Sequence, residues 1–286
     1  MAAVSTPAKE PNERPIAVFD SGVGGLTVLQ ELLVELPQED FLYLGDTARF
    51  PYGERSAEEL ERFALEIAEL LLARRAKLLV VACNAASASA LGALQERMLS
   101  TTLGVYVTGV IEPESRLAAD ASANRRIGLL ATSATVRSGA YARALSEHAP
   151  DAELVSVACP DLAPIIQQGF PFDHRVADTV RGYCAPLRDA GVDTVILGCT
   201  HYPLIAPMLQ RLLGPGVALI TSGRSLAVSV ARSLDESGLR TPRRSEGDYR
   251  FLCTGDAEAF RELGSRFLQM PIEHVEHVAF PLAEAA

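Results

Sequence analysis

Residues 195–203 read VILGCTHYP, an apolar run that stops at a glycine followed by a thiol, a hydroxyl and an imidazole. An unbroken run of branched apolar residues is typical of a buried strand in a parallel sheet. Pro203 opens the apolar-periodic segment 204–213, and proline favours the first turn of a helix. The pattern predicts that Cys199 lies just before a helix N-terminus, where unpaired N–H groups stabilise a thiolate.

A second stretch repeats this order in the other half of the chain. Residues 78–87 read LLVVACNAAS, in which an apolar run, a small residue, Cys83 and a polar residue precede a helical pattern. Two such corners suggest a pseudo-repeat whose reactive ends face each other across a cleft. The hypothesis is a matched pair of acid/base thiols. The alternative is that each cysteine is a small core residue, as lone cysteines beside buried strands usually are.

The composition excludes several classes of protein. At 48% hydrophobic, the 286 residues can form one large or two medium domains. With 26 basic and 36 acidic residues and a net charge of −10, the chain lacks the basic face of a nucleic-acid or anionic-membrane binder. No apolar stretch approaches the ~18 residues of a membrane span. Residues 1–14, expected to form a flexible tail, lack the apolar region of a signal peptide, so we expect a cytoplasmic protein.

Cysteine and lysine usage argues against a metal or a cofactor. The five cysteines are scattered without a C-x-x-C pair, which disfavours a disulfide framework and a zinc cluster. Lys9 and Lys77 are the only lysines, and neither is an attractive partner for a pyridoxal Schiff base. Residues 273–277, EHVEH, are better explained as a solvated strand face than as a metal site.

The first half begins with a predicted strand, residues 15–19, that ends in DSGVGG before a helix over residues 26–36. The glycines would let backbone N–H groups approach an anion. A dinucleotide-binding fingerprint is the competing interpretation, because a strand over residues 41–44 and Asp46 follow, but Thr27 stands in place of its third glycine. Further on, Ser56 and Glu59 form a capping box for a long helix reaching about residue 76.

The second half repeats the alternation. Strands are predicted over residues 126–130 and 153–157, a loop over 132–135, and helices over 138–148, 161–168 and 173–190. From residue 217 onward the pattern is strand, helix, polar loop, strand, helix and strand. Alternating strands and helices imply an α/β fold with largely parallel sheets. Ligands bind beyond the carboxyl ends of such strands, where Asp20, Cys83, Thr135 and Cys199 are expected to lie.

The neighbours of the two cysteines indicate the type of chemistry. A cysteine hydrolase needs one thiol with one base, whereas here His201 stands beside Cys199 and Asp20 is expected near Cys83. Since a helix N-terminus can lower the pKa of a thiol toward neutrality, one cysteine can be thiolate while the other is thiol. Such a pair can remove a proton from one face of a carbon and return another to the opposite face.

Five motifs together resemble glutamate racemase, of the aspartate/glutamate racemase family. They are DSGVGGL at 20–26, GDT at 45–47, PYG at 51–53, CN at 83–84 and GCTHYP at 198–203, within a similarity that runs from about residue 15 to 268. The resemblance implies a cofactor-independent enzyme that interconverts L- and D-glutamate and supplies D-glutamate for peptidoglycan.

The resemblance also implies an architecture. It predicts two similar α/β domains related by a pseudo-two-fold axis, with the active site in the cleft between them. The first would comprise residues 15–107 and 216–286, and the second residues 108–215. The expected partner is the small-molecule substrate, in a homodimer, with no nucleic acid and no membrane.

Roles for individual residues follow from the same resemblance. Cys83 would take the α-proton of D-glutamate, assisted by Asp20, and Cys199 that of L-glutamate, assisted by His201. The substrate would be held by residues at the same strand ends, namely Asp20, Ser21, Tyr52, Gly53, Asn84, Ala85, Thr135, Thr200 and His201.

Two positions depart from the family pattern. Ala85 stands where Thr or Ser usually follows Cys-Asn, so a hydroxyl is missing although the backbone N–H remains, and we expect weaker substrate binding. Gln167 stands where the family often has a glutamate. No carboxylate is then available there to polarise His201, and we expect Gln167 to be dispensable.

Three other functions compete with this interpretation. An aspartate racemase would share the two-thiol chemistry but need a shorter pocket. A non-enzymatic binding module would be expected to lose one thiol. A dinucleotide oxidoreductase would require the glycine fingerprint that this chain only partly matches.

Overall fold

The computed structural model describes residues 10–101, 104–169 and 174–280, in which strands and helices alternate. The strands are β1 (Ile16–Asp20), β2 (Phe41–Gly45), β3 (Leu78–Val81), β4 (Tyr106–Gly109), β5 (Arg126–Ala131), β6 (Glu153–Ala158), β7 (Thr194–Gly198), β8 (Ala218–Ile220), β9 (Tyr249–Cys253) and β10 (Val275–His277). The helices are α1 (Leu26–Glu35), α2 (Ala57–Ala73), α3 (Asn84–Ser100), α4 (Ile111–Ala121), α5 (Ser133–Ser138), α6 (Ala140–His148), α7 (Leu162–Gln167), α8 (His174–Asp189), α9 (Ala206–Leu213), α10 (Gly223–Glu236) and α11 (Ala257–Leu268). Short 3-10 turns cover Pro11–Glu13, Tyr52–Glu54 and Tyr202–Ile205.

The strands form two sheets in which the paired strands are parallel. The first sheet has the order β10-β9-β2-β1-β3-β4, and the second sheet has the order β6-β5-β7-β8. The C-terminal strands β9 and β10 extend the first sheet, because β9 pairs with β2. The expectation of two parallel-sheet α/β domains is confirmed.

Both sheets continue past the domain boundaries expected from the sequence, and the boundaries themselves stay a prediction. β4 pairs with β3, so the first sheet continues to Gly109 rather than ending at residue 107. β8 pairs with β7, so residues 218–220 belong to the second sheet although the expected boundary assigned them to the first domain. A three-residue strand carries too little pattern to show which sheet it joins. We propose that the domains follow the sheets, with crossings near residues 110 and 221.

The central strands of the first sheet, β1, β2 and β3, are buried on both faces. Along β1, Ile16 and Val18 belong to one apolar core, while Ala17 and Phe19 belong to a second core on the other face. Successive side chains of a strand point to opposite faces, so a parallel strand covered on both sides reads as a continuous apolar run. The first of these cores continues into residues of the second sheet, such as Leu129, which joins the two sheets through shared apolar packing.

The predicted capping box is present, and a second cap was overlooked. Ser56 Oγ accepts a hydrogen bond from the Glu59 N–H at 3.2 Å, and the Glu59 carboxylate accepts one from the Ser56 N–H at 3.0 Å. Residues 132–135, expected to form a loop, instead begin α5, because Thr132 Oγ1 accepts from the Thr135 N–H at 3.4 Å. Threonine is a favoured N-cap residue, because its side-chain oxygen can accept from an unpaired N–H in the first turn of the helix. This preference started a helix in a segment whose polar composition had indicated a loop.

The two cysteine corners differ in backbone structure. Cys83 is the N-cap of α3, as the pattern predicts. Cys199 is followed by a 3-10 turn, and α9 begins only at Ala206, so the prediction that Cys199 directly precedes a helix is wrong. Pro207 explains the difference, because a proline ring in an α-helix collides with the carbonyl group four residues earlier. For Pro207 that carbonyl group belongs to Pro203, so the α-helix that contains Pro207 does not extend back to Pro203.

The described ranges contain no helix long and apolar enough to cross a bilayer. Nor do they bring together three His, Cys, Asp or Glu side chains in a metal-binding group. In the segment 273–277, Glu276 instead forms an ion pair with Arg74 at 2.5 Å.

A buried ion pair fastens the amino end of the first sheet. Lys77 Nζ lies 2.5 Å from Glu39 Oε2, and both side chains are about 1% exposed. The ammonium group also donates to the carbonyl groups of Asn12 and Leu239, at 2.7 and 2.8 Å. The Glu39 carboxylate accepts from the Thr241 N–H at 2.8 Å. Lys77 therefore has a structural role that joins segments distant in sequence.

We predict that Lys77→Met lowers the free energy of unfolding by about 3–5 kcal/mol, because it leaves the Glu39 carboxylate buried without a counter-charge. Urea titration followed by circular dichroism measures the loss. The double variant Lys77→Met with Glu39→Leu should lose less than the sum of the two single losses. A strictly additive result would show that the pair is not coupled.

Candidate active site

The carboxyl ends of β1, β3, β5 and β7 meet around one cavity of about 430 Å³, counted to its open mouth. The wall is formed by residues from both sheets, namely Ser21, Phe50, Pro51, Tyr52, Gly53, Glu54, Cys83, Asn84, Ala85, Thr132, Pro160, Ala163, Pro164, Gly198, Cys199, Thr200 and His201. The cavity therefore lies between the two sheets.

Most of the residues expected from the sequence line this cavity. They are Ser21, Tyr52, Gly53, Cys83, Asn84, Ala85, Cys199, Thr200 and His201. Two others lie behind the wall. Asp20 is fully buried and accepts a hydrogen bond from Thr200 Oγ1 at 3.1 Å. The Thr135 hydroxyl is 3.0 Å from that of Thr132. Of these two threonines, Thr132 is the one that lines the cavity.

Several wall residues were missed by the sequence analysis. Phe50 and Glu54 flank the Pro-Tyr-Gly turn, and Pro160, Ala163 and Pro164 follow β6. They come from loops whose distance from the cysteines depends on how the two sheets pack, which no local pattern states. The only available signal was the Cys159-Pro160 pair at the end of a predicted strand.

The glycines of the DSGVGG loop serve close packing. A Cβ atom on Gly24 would lie 2.4 Å from His201 Nδ1 and from Thr200 Oγ1. A Cβ atom on Gly25 would lie 2.5 Å from the Asp20 Cβ. The expectation that these glycines open the backbone to an anion stays a prediction beside this steric role. The loop after β1 can approach the loop after β7 only without a side chain at Gly24, and Gly25 lets it pack against Asp20.

The carboxyl group of Asp20 has a pKa in a useful range. Burial raises the pKa to about 6, and hydrogen bonds from the Gly22 N–H and from Thr200 oppose this rise. A carboxyl group with a pKa near neutrality can both accept and return a proton. Asp20 also acts electrostatically on Cys83, since its charge raises the pKa of that thiol.

Both thiols are weaker acids than expected from the sequence. Burial raises the pKa of Cys83 to about 12, while hydrogen bonds that include one from the Ala86 N–H oppose the rise. Burial also raises the pKa of Cys199 well above its usual value, against a backbone hydrogen bond from His201. The expected lowering toward neutrality is wrong, because loss of solvation outweighs the helix N-terminus. Each thiol needs a nearby base to lose its proton.

His201 has the geometry of such a base for Cys199. Its Nδ1 lies 3.9 Å from the Cys199 sulfur, and its Nε2 lies 2.8 Å from Gln167 Oε1. The Gln167 oxygen can only accept, which places the hydrogen on Nε2 and leaves Nδ1 as the acceptor facing the thiol. Burial, with Phe50 and Phe267 against the ring, lowers the His201 pKa to about 3. The imidazole is neutral and oriented.

Comparison with known proteins identifies the family. Residues 26–230 match the Asp/Glu/Hydantoin racemase family. A glutamate racemase from Geobacter metallireducens is 46% identical over 256 residues, covering 89% of this chain and 93% of that protein. The crystal structure of a Bacillus anthracis glutamate racemase isoform matches with a TM-score of 0.88 and 37% identity, covering 94% of this chain and 99% of the other.

A further solved structure carries a ligand. It is a glutamate racemase from Francisella tularensis in complex with D-glutamate, with a TM-score of 0.86, 34% identity, and coverage of 94% of this chain and 98% of that one. These likenesses extend over nearly the whole chain and include both sheets. The chain therefore belongs to the Asp/Glu/Hydantoin racemase family, alongside its glutamate racemases, and is an isomerase.

Proposed function

We propose that this protein interconverts L- and D-glutamate by a two-base mechanism. The observation that carries the proposal is the arrangement of two thiols on one cavity, Cys83 from the first sheet with Asp20 beside it and Cys199 from the second sheet with His201 beside it. Relatives at 34–46% identity that are named glutamate racemases support glutamate as the substrate.

In the direction from L- to D-glutamate, Cys199 passes its proton to Nδ1 of His201, and the thiolate removes the α-proton of the substrate. The Cys83 thiol then gives its proton to the opposite face of the α-carbon. In the reverse direction Asp20 accepts the proton of Cys83, whose thiolate removes the α-proton of D-glutamate while Cys199 supplies the new one. After the direction from L- to D-glutamate, Cys199 is again a thiol, Cys83 is a thiolate and His201 carries the extra proton. Loss of that proton to solvent and uptake of one by Cys83 restore the starting state, and the reverse direction is reset in the same way through Asp20 and Cys199.

The wall is suited to a small dicarboxylate although its described residues include neither Lys nor Arg. Backbone N–H groups at the start of α3, at Ala85, and in the Tyr52-Gly53 turn can donate to carboxylate oxygens. The hydroxyl groups of Ser21, Thr132 and Thr200 add side-chain donors. Thr135 would act indirectly, by orienting Thr132.

The biological setting follows from the family resemblance. We propose that the D-glutamate serves peptidoglycan synthesis, that the enzyme acts in the cytoplasm without a cofactor, and that it works as a homodimer. Aspartate is the competing substrate, and chiral analysis with aspartate in the same assay distinguishes the two.

We predict that purified protein with L-glutamate, no added cofactor and deuterated water yields D-glutamate carrying deuterium at the α-carbon. The product proton comes from a thiol that has exchanged with solvent, whereas recovered L-glutamate should stay largely protiated at early times. Chiral chromatography with mass spectrometry measures both. If no D-glutamate forms, the proposed function fails, and if early D-glutamate retains protium, one base acts on both faces.

We predict that Cys83→Ser and Cys199→Ser each stop racemisation in both directions, because each direction needs one base and one acid and a hydroxyl is a far weaker acid than a thiol. Cys184→Ser is the matched control, since Cys184 is equally buried but lies outside the cavity wall. Substantial turnover by either of the first two variants would refute the assignment.

We predict that Gln167→Ala lowers kcat by less than about a hundredfold, the lower limit for a group that itself transfers a proton. The structure gives Gln167 a hydrogen bond to His201, so some loss is expected, but Nδ1 can still reach the Cys199 thiol. Initial rates with L-glutamate measure the effect. Gln168→Ala, at the exposed neighbouring residue, is the control. A larger loss would assign Gln167 a direct part in proton transfer.

We predict that Ala85→Thr lowers KM for glutamate by about two- to tenfold, the value of one added hydrogen bond. Ala85 lines the cavity near the start of α3, so a hydroxyl there would face the substrate. Ala85→Val has the same shape without the hydroxyl and should not improve binding. If the threonine and valine variants behave alike, the site has been repacked around the alanine.

A further inference from the structure

Glu114 is a fully buried carboxylate outside the cavity wall, on α4 between the two sheets. Side chains from three other parts of the fold donate to it. Asn84 Nδ2 is 3.1 Å from Oε2, the Tyr141 hydroxyl also donates to Oε2, and the Ser222 hydroxyl donates to Oε1. Within the described ranges, no basic side chain lies at ion-pair distance from Glu114. Burial raises its pKa to about 8.

Burying such a group lowers the stability of the folded protein. A buried carboxylate without a cation loses its hydration, and hydrogen bonds from neutral groups restore only part of it. An apolar residue at this position of α4 would pack without that cost. The network therefore calls for an explanation other than stability, and its contact with Asn84, a wall residue of the cavity, supplies one.

The network determines the orientation of the Asn84 amide. Glu114 Oε2 accepts from the Tyr141 hydroxyl and lies within hydrogen-bond distance of Asn84 Nδ2, so the NH₂ group of Asn84 turns toward Glu114. The same nitrogen lies 2.7 Å from the Tyr141 hydroxyl. The other arm of the amide, Oδ1, is buried and has no hydrogen-bond partner among the described residues. An unpaired acceptor on a side chain that lines a binding cavity points to a donor on the ligand.

We propose that Glu114 is a positioning residue that holds the Asn84 amide with its oxygen toward the cavity, where it accepts a hydrogen bond from the ammonium group of the amino-acid substrate. The inference rests on the proposed function. Tyr141 takes part in the same device, because it bridges Glu114 and the amide nitrogen. The start of α3 would then present an N–H donor at Ala85 for a carboxylate and an oxygen acceptor at Asn84 for the ammonium.

A purely structural role makes a different prediction. Glu114 also connects α4 to α6 and to the start of α10, so its loss could loosen the packing of these helices. Loosened packing would weaken every ligand of the cavity alike. If Glu114 instead positions the group that binds the ammonium, its loss weakens the binding only of ligands that carry an ammonium group.

The test compares glutamate with glutarate, a dicarboxylate of the same length that lacks the ammonium group. In Glu114→Leu, we expect KM for L- and D-glutamate to rise about tenfold, as for one lost charge-assisted hydrogen bond, with kcat within about threefold of wild type. The inhibition constant of glutarate should stay within about twofold, since the carboxylate donors of the wall are untouched.

Two variants of Glu114 and its neighbour serve as controls. Glu114→Gln retains an oxygen for Asn84 and can donate its amide N–H to Ser222, so it should keep most of the wild-type KM. Glu112→Leu makes the same change two residues earlier on α4, where the side chain is half exposed, and should leave both ligands unaffected. If Glu114→Leu does not fold, Tyr141→Phe is the substitute, because it removes one oxygen of the same network. It should raise KM for glutamate and leave the inhibition constant of glutarate unchanged.

Equal weakening of glutamate and glutarate, or no change in either, would overturn the positioning role. Failure of the proposed function is distinguishable from this outcome, because wild-type protein in the same assay would then form no D-glutamate at all.

Discussion

The hydrogen bond from Thr200 to Asp20, 3.1 Å long, joins the loop after β7 of the second sheet to the end of β1 in the first. A second bond beside it, from the Thr27 hydroxyl to the Thr200 carbonyl group at 3.0 Å, reinforces the same junction. Gly24 makes it sterically possible, since any Cβ atom there would collide with His201. This junction lies where Cys83 and Cys199 reach one cavity, so the proposed chemistry relies on the two loops staying together.

Desolvation is the second constraint on the site. Closing the two sheets over the cavity raises the pKa of both thiols and lowers that of His201. The thiols are therefore protonated at neutral pH, and a helix N-terminus does not make either of them a thiolate. A thiolate formed in so buried a site would be strongly basic, as the proposed removal of a proton from a carbon atom requires.

Local pattern predicted the elements that carry the site well. The apolar runs that end at Asp20, Cys83 and Cys199 are buried parallel strands, and their carboxyl ends border the cavity. The pattern failed where long-range geometry decides. It missed β4 and α4, did not show that β8 joins the second sheet, and took the N-cap Thr132 for part of a loop. It also could not show that Gln167, on another helix, would reach His201.

The sequence by itself determined the alternation of strands and helices, the parallel sheets, and the residue types at each strand end. Those properties depend on the period of apolar residues and on caps, prolines and glycines, all of which act within a few residues along the chain. Only the tertiary structure decided which strand ends share a cavity, how far burial shifts the pKa values of Asp20, Cys83 and His201, and which way the Asn84 amide faces. These depend on packing between residues far apart in the chain, because desolvation and hydrogen-bond partners are properties of the assembled fold.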